Sequence, residues 1–389
     1  MKTGAGNASP AHDMLETERT IRTINGVKTF NKTIGAETLA KRWNIGLETA
    51  KKTLNVTTQK GLRNIISPVS KRFKRQPYHR KRIAPGKWYS DTTFYKTKSI
   101  INGDTAAQIT TNARGYARFV PLQSKAQASD GLMEFINKVG IPELLVTDGS
   151  KEQGYLSSQT FWVKLTKKYG IDQSYTEPYS WWQNMAERDI GEIKREIKRY
   201  MQRKGSPRRL WAFLGAYVCG KRALTASNIA SNQGRTPAEL VLGYTPDIGI
   251  WMVFDWYDFV YYLDSENKET KLARWLGPAP DHGAGDCYWL LPVSGKPIVR
   301  STVWRIPDDD LNTDVRKTEM KDFDKIIVGT IRDARKREGS EDDMNDTFPE
   351  HGDLFDEDLE DQVHIEHEEE KIPDSDEYTP DTYDQYLHS

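Results

Sequence analysis

Cysteine is nearly absent: Cys219 and Cys287 are the only two in the chain. Two thiols cannot build a disulfide framework or a cysteine-rich zinc site, and they suit a reducing, intracellular compartment. Long apolar runs are missing as well. The most apolar window, WMVFDWYDFVYYL at 251–263, is broken by Asp255 and Asp258 and is too short to span a bilayer, so no membrane partner is expected. Residues 1–15 hold no apolar stretch of the signal-peptide kind. Hydrophobic residues make up 37% of the chain, low for a wholly globular protein, and this predicts that some segments stay unfolded.

Net charge is absent only as a sum. The chain has 56 Lys and Arg against 56 Asp and Glu, but they are segregated. Residues 1–87 hold 19 basic and 5 acidic side chains, and residues 88–242 hold 22 and 14. Residues 340–389 hold one Lys and 20 acids. A basic head and an acidic tail say more about partners than the total does.

Five segments follow from the patterning. Residues 1–58 are a loose arm followed by a helical segment. There, Leu39, Ala40 and Trp43, then Gly46, then Ala50 and Leu54 fit two short amphipathic helices around a glycine turn. A helix-turn-helix and an ordinary helical hairpin both satisfy that pattern. Residues 59–87 carry 10 Lys and Arg, among them Lys71, Arg72, Lys74 and Arg75, and no acid. Pro68, Pro77 and Pro85 keep this linker extended, and such a run contacts phosphates or directs nuclear import. Residues 88–242 read as one α/β unit. Strands are predicted at 87–94, 105–111, 116–122, 143–148 and 172–176, and helices at 127–138, 157–169, 185–203 and 207–230. Three successive strands followed by alternating strands and helices imply a mixed sheet flanked by helices. Residues 243–310 return to short strands between Gly, Pro and Asn turns, as in a small β-barrel. Residues 311–389 dissolve into acidic low complexity, a tail without a fold apart from a weak apolar stretch at 325–331.

Three carboxylates stand out by context. Asp91 sits inside an aromatic and β-branched run, where an acid is unfavourable unless paired or bound to a cation. Asp148 ends the apolar strand ELLVT and precedes Gly149. Glu187 lies in the first turn of an amphipathic helix, where the helix dipole alone would also favour an acid. Convergent carboxylates are hard oxygen ligands suited to Mg²⁺ or Mn²⁺. Two such ions can activate a hydroxyl nucleophile and stabilise a leaving oxygen in an in-line displacement at phosphorus.

At these same places the chain resembles a family. TDGS at 147–150 after the GIP turn at 140–142, and PYSWWQNMAER at 178–188, are similar to the second-Asp and Glu motifs of retroelement integrases. QNMAER resembles the Q-N-G-x-A-E-R block of the copia-type group, shorter by one residue, and GRTPAELVLGYTPDI at 234–248 resembles the stretch that follows that group's catalytic core. The resemblance covers about 85–306 and implies a ribonuclease-H-like fold. It implies Asp91, Asp148 and Glu187 as catalytic ligands of two Mg²⁺ or Mn²⁺ ions, with Asp91 between them. It implies double-stranded DNA as partner, a homo-oligomer, and action in the nucleus after cytoplasmic synthesis. Along the helix after Glu187, Ile190, Ile193 and Ile197 form an inward stripe. Lys194, Arg195, Lys198 and Arg199 form a basic face, either DNA-contacting or paired with Glu192 and Glu196.

The chain also departs from the family. No cysteine precedes Cys219, so the family's His-His-Cys-Cys zinc module is not expected here. Gly149 and Ser150 stand where the copia group has Asn-Gly. Trp181 and Trp182 replace small polar residues, one suited to capping the core and the other to stacking on an unpaired base. The expected function is joining of element DNA to target DNA. The alternatives are a decayed or domesticated integrase that only binds DNA, and a ribonuclease-H-like nuclease that cleaves without joining.

Overall fold

In Ile83–Phe94, Trp88, Ser90 and Thr92 alternate with Tyr89, Asp91 and Thr93, the two-residue period of a strand with both faces covered. In a computed structural model of the chain, this run is the central strand of a five-stranded sheet. The structure describes residues 19–24, 27–31, 34–59, 82–148, 160–176, 185–264, 269–282 and 287–331, those before 34 and residues 308–309 by backbone alone. The linker residues Lys71, Arg72, Lys74 and Arg75, the Gly149–Ser150 and Trp181–Trp182 pairs, and the chain beyond 331 lie outside the described residues.

An antiparallel hairpin, β1 (Arg19–Ile24) and β2 (Val27–Asn31), occupies part of the expected loose arm. The sheet then comprises β3 (Ile83–Phe94), β4 (Ala106–Asn112), β5 (Ala117–Leu122), β6 (Ile141–Thr147) and β7 (Asp172–Tyr175), in the order β5-β4-β3-β6-β7. A loop over 95–105 and a short turn over 113–116 join β3, β4 and β5, which pair antiparallel. Crossovers through helices α3 (Ala128–Lys138) and α4 (Phe161–Tyr169) make β6 and β7 parallel to β3. This is the expected ribonuclease-H-like mixed sheet flanked by helices. On one face, Leu132 and Phe135 of α3 pack on Trp88 and Leu145. On the other, α5 (Met185–Lys204) sets Ile190, Ile193 and Ile197 against Ile109, which bears out the inward stripe.

Helix α6 (Trp211–Leu224) is apolar along most of its surface, and eleven of its fourteen residues are buried. It is shorter than the 207–230 expected, because the chain turns extended at Thr225. One side meets the sheet, where Gly215 lets the helix approach Phe119 so closely that an added Cβ would lie 2.4 Å from its ring. The other side meets the C-terminal strands, where Tyr217 stands edge-on to Trp275 and Phe213 to Trp289. The five-stranded mixed sheet and the C-terminal strands therefore share one hydrophobic cluster running from Ile109 through Trp211 to Tyr288.

Those strands are β8 (Phe259–Leu263), β9 (Thr270–Pro278), β10 (Tyr288–Pro292), β11 (Ile298–Arg300) and β12 (Val303–Arg305), in the order β11-β10-β9-β8-β12. The two edge strands are successive in the chain. A flat five-stranded sheet would hold its edges about 19 Å apart. The short link from Arg300 to Val303 reaches at most about 11 Å, so the sheet curls into the expected small barrel. Residues 251–258, part of the segment expected to return to short strands, instead form a helical turn ending at Met252 and a loop with Tyr257 at φ 61°. In that loop Asp255 takes ion pairs from Arg203 and Lys204, and Asp258 a third from Lys204.

One expectation is corrected at the C-terminal side. Asp314–Thr330, within the segment expected to have no fold, is a helix, α8. Phe323, Ile327 and Ile331 recur every four residues and bury one stripe against the barrel, and Arg274 grips Asp324 with two nitrogens. The high charge of the other faces hides that stripe from a composition reading.

The N-terminal helices α1 (Ala36–Trp43) and α2 (Leu47–Asn55) form a tight pair, joined through Asn44 in the left-handed conformation and Gly46. Leu39, Trp43 and Ala50 pack on Ala223, Leu224 and Met252. Lys221 of α6, 2% exposed, fastens this pair. Its ammonium donates to the Trp43 carbonyl (3.0 Å) and the Tyr200 hydroxyl (3.2 Å), and contacts the Glu196 carboxylate. Burial and the neighbouring Arg222 push the Lys221 ammonium down to about 7, while Asp255 works in the opposite direction.

Two substitutions test this packing. Gly215→Ala should lower stability by about 1–3 kcal/mol through overpacking, read as an earlier urea midpoint with unchanged slope. Lys221→Met leaves Glu196 and the Trp43 carbonyl without their cation and should cost about 2–4 kcal/mol. Amide exchange in α1 should then quicken more than exchange in the sheet; equal protection in α1 would rule out the fastening role.

Candidate active site

The two strand carboxylates are brought together by register. Tyr89 pairs with Val146 in the parallel β3–β6 ladder, so Asp91 and Asp148 each stand two residues beyond that pair. Side-chain alternation sends them to the same face. Trp88 and Leu145 point toward α3, so Tyr89, Asp91, Val146 and Asp148 point to the side covered by α5. Asp91 is half-buried opposite Ile109 of β4, and its Oδ1 accepts the Thr92 amide at 2.6 Å. Asp148 is exposed just past the end of β6, as expected of a residue offered at a strand's C-terminal edge.

Glu187 is exposed in the first turn of α5, the helix that covers this face. The turn is held down by its neighbour Asp189, 3% exposed, which sequence reasoning missed. The Thr111 hydroxyl of β4 donates to Asp189 Oδ2 at 2.6 Å, and Arg222 of α6 approaches Oδ1 at 3.9 Å. The signal was present: Asp189 stands four residues before Ile193 and eight before Ile197, on the inward stripe, where an acid must be paired.

The donor chemistry of Asp91, Asp148 and Glu187 suits a hard divalent cation. Among the described residues, however, no three Asp, Glu, His or Cys side chains are grouped closely enough to hold a metal ion. The sheet register pairs the two aspartates; Glu187 is exposed on the helix that covers their face and does not join them in such a group.

The basic residues of α5 separate. Arg195, Lys198 and Arg199 are exposed, but Lys194 is 9% exposed and so is not part of the solvated basic face expected of it. Two of the helix's acids pair with cations of a neighbouring helix. Glu192 binds Arg222 (2.7 Å) and Glu196 binds Lys221, both on α6. The TPAEL block of the resemblance has a local explanation: Thr236 caps the helix α7 (Pro237–Leu242), accepting the Glu239 amide at 3.1 Å, with Pro237 at its first position and Gly243 left-handed after its end. Cys219 is buried, and burial pushes its thiol up to about 12, so it offers no nucleophile.

Among the described residues, no helix is long and apolar enough to cross a membrane. No protein-family model matches the sequence, and no curated protein matches it. Solved structures do resemble the chain. The HTLV-2 integrase catalytic core domain in complex with magnesium, in a trimeric form, is 17% identical with a TM-score of 0.32, over 42% of this chain and 99% of that one. The BIV integrase catalytic core domain is 17% identical with a TM-score of 0.31, over 40% and 93%. A simian T-cell lymphotropic virus intasome in complex with the PP2A regulatory subunit B56 gamma is 12% identical with a TM-score of 0.31, over 59% and 81%.

Asp189→Ala should free the Thr111 hydroxyl and remove a carboxylate facing Arg222, costing about 1.5–3 kcal/mol. Amide exchange in the first turn of α5 should rise; unchanged protection there would show that Asp189 does not anchor the helix.

Proposed function

We propose that the chain is a DNA-joining polynucleotidyl transferase of the retroelement-integrase kind. The observation that carries this reading is the register that sets Asp91 beside Asp148 on the sheet face under α5, at the positions matched by the integrase-like sequence blocks. Divalent Mg²⁺ or Mn²⁺, held by Asp91 and Asp148 with Glu187 drawn in from the helix, would supply the charge that activates an attacking hydroxyl and stabilises a leaving oxygen. The reaction needs no protein nucleophile. In the first step the oxygen of water attacks a phosphodiester near the 3′ end of element DNA, and the terminal fragment leaves. In the second, the freed 3′-hydroxyl attacks a phosphodiester of target DNA, and the target's own 3′ oxygen departs. By holding the cations, the carboxylates would orient the reacting phosphate. The partner is double-stranded DNA. On the same reading the chain works as a homo-oligomer, because two ends must be joined together, and it acts in the nucleus.

The test uses an end-like oligonucleotide, a plasmid target and Mg²⁺. Asp148→Asn should reduce both cleavage and joining by at least about 100-fold, the scale on which removal of one group that stabilises the transition state registers, with duplex affinity nearly unchanged. Full activity in that variant would sink the assignment. Cleavage by the unsubstituted chain without joining would favour a plain nuclease.

A further inference from the structure

The exposed cations of α5 do not share one face. With about 3.6 residues per turn, Lys198 falls on the side of Glu187. Arg195 and Arg199 lie roughly a quarter-turn away, beside Glu192 and Glu196. That second face opens on a cavity of about 530 Å³, away from the strand-edge carboxylates. Its walls are α5, the end of α6 with Lys221 and Arg222, the Asn44–Ile45 turn between α1 and α2, and the loop at 225–229.

Charge in this cavity is unbalanced. Four cations and two carboxylates line it. Both carboxylates are engaged from the α6 side, Glu192 by Arg222 and Glu196 by Lys221. Arg195 donates its Nε–H to the Gly191 carbonyl at 3.1 Å, which fixes the side chain and leaves its terminal nitrogens to the cavity. Neither Arg195 nor Arg199 makes an ion pair among the described residues, and the two sit one helical turn apart. The Ser227 hydroxyl stands in the opposite wall. A pair of guanidinium groups facing a polar, solvent-open hollow matches the geometry of a phosphate.

We infer that this cavity is a phosphate-binding site, separate from the proposed catalytic edge and formed only because the N-terminal helix pair is docked on α5 and α6. Its ligand is a phosphate of a DNA backbone or of a free polyphosphate. The site does not depend on the transferase reading and fails or stands apart from it.

The experiment uses the full chain carrying Asp148→Asn, with chelator present, so that neither chemistry nor divalent metal enters. Affinity for a labelled duplex is measured by fluorescence anisotropy across a salt series, and binding of inorganic tripolyphosphate by calorimetry. Arg195→Gln with Arg199→Gln should flatten the slope of log affinity against log salt by about two, roughly one for each phosphate no longer neutralised, and abolish tripolyphosphate binding. Ser227→Asp, which adds a carboxylate to the cavity while both arginines remain, should weaken the same ligands. The charge-matched control Lys167→Gln with Lys168→Gln, on exposed positions of α4, should leave tripolyphosphate binding intact. Loss of tripolyphosphate binding with an unchanged DNA slope would assign the site to free polyphosphate. Unchanged binding of both ligands, or an equal loss in the control, would overturn the proposal.

Discussion

Everything in this fold hangs on the helix Trp211–Leu224 being sandwiched between two apolar surfaces. A helix with apolar residues on opposite flanks has no stable place at a surface, so it needs an apolar wall on each of them. The sheet supplies one through Phe119 and Ile109, and the barrel supplies the other through Trp275 and Tyr288. The barrel is thereby fixed to the sheet through a shared core and not merely joined by a linker. The same helix ends in Lys221 and Arg222, which reach sideways to Glu196 and Glu192 of α5. Lys221 also holds the N-terminal pair by the Trp43 carbonyl. Three parts of the chain thus take their positions from one helix.

Much of the sheet was legible in the sequence because strands declare themselves by alternation and by connection length. Connections without a helix between the first three strands go with antiparallel pairing, and helical crossovers with parallel pairing. The expected strands at 87–94, 105–111, 116–122, 143–148 and 172–176 all appear with edges shifted by a few residues. The misreadings share a cause. WMVFDWYDFVYYL looks like one strand because its apolar residues are dense, but Asp255 and Asp258 are claimed by Arg203 and Lys204 and turn the chain first. The stripe Phe323, Ile327, Ile331 is sparse among charges, so α8 looked like part of an acidic tail. Tertiary partners decided both cases, and no local window contains those partners.

The site divides in the same way. That Asp91 and Asp148 share a level and a face follows from the sheet register, because a strand fixes both for its side chains. Glu187 was singled out by the sequence block around it. Lys194 was misassigned to the solvated face because a basic residue on an amphipathic helix is normally solvent-facing, while here its surroundings bury it. Asp189 went unnoticed beside Glu187, although its place on the isoleucine stripe distinguishes it: a buried acid on an inward face needs a donor, and Thr111 is that donor.

Ion pairing, more than composition, sets the field around α5. The helix carries seven Lys and Arg and four Asp and Glu, a modest excess by count. Three of the four acids are held by cations of α6 or by the sheet, and Arg203 and Lys204 are held by the barrel-side aspartates. Closely paired charges nearly cancel beyond a Debye length of about 8–10 Å. What reaches solvent from the middle of the helix is therefore basic, from Arg195 and Arg199 on one side. The chain's neutrality describes a total that no single surface experiences. A polyanion approaching the middle of α5 meets positive charge, because Glu192 and Glu196 there are engaged by Arg222 and Lys221.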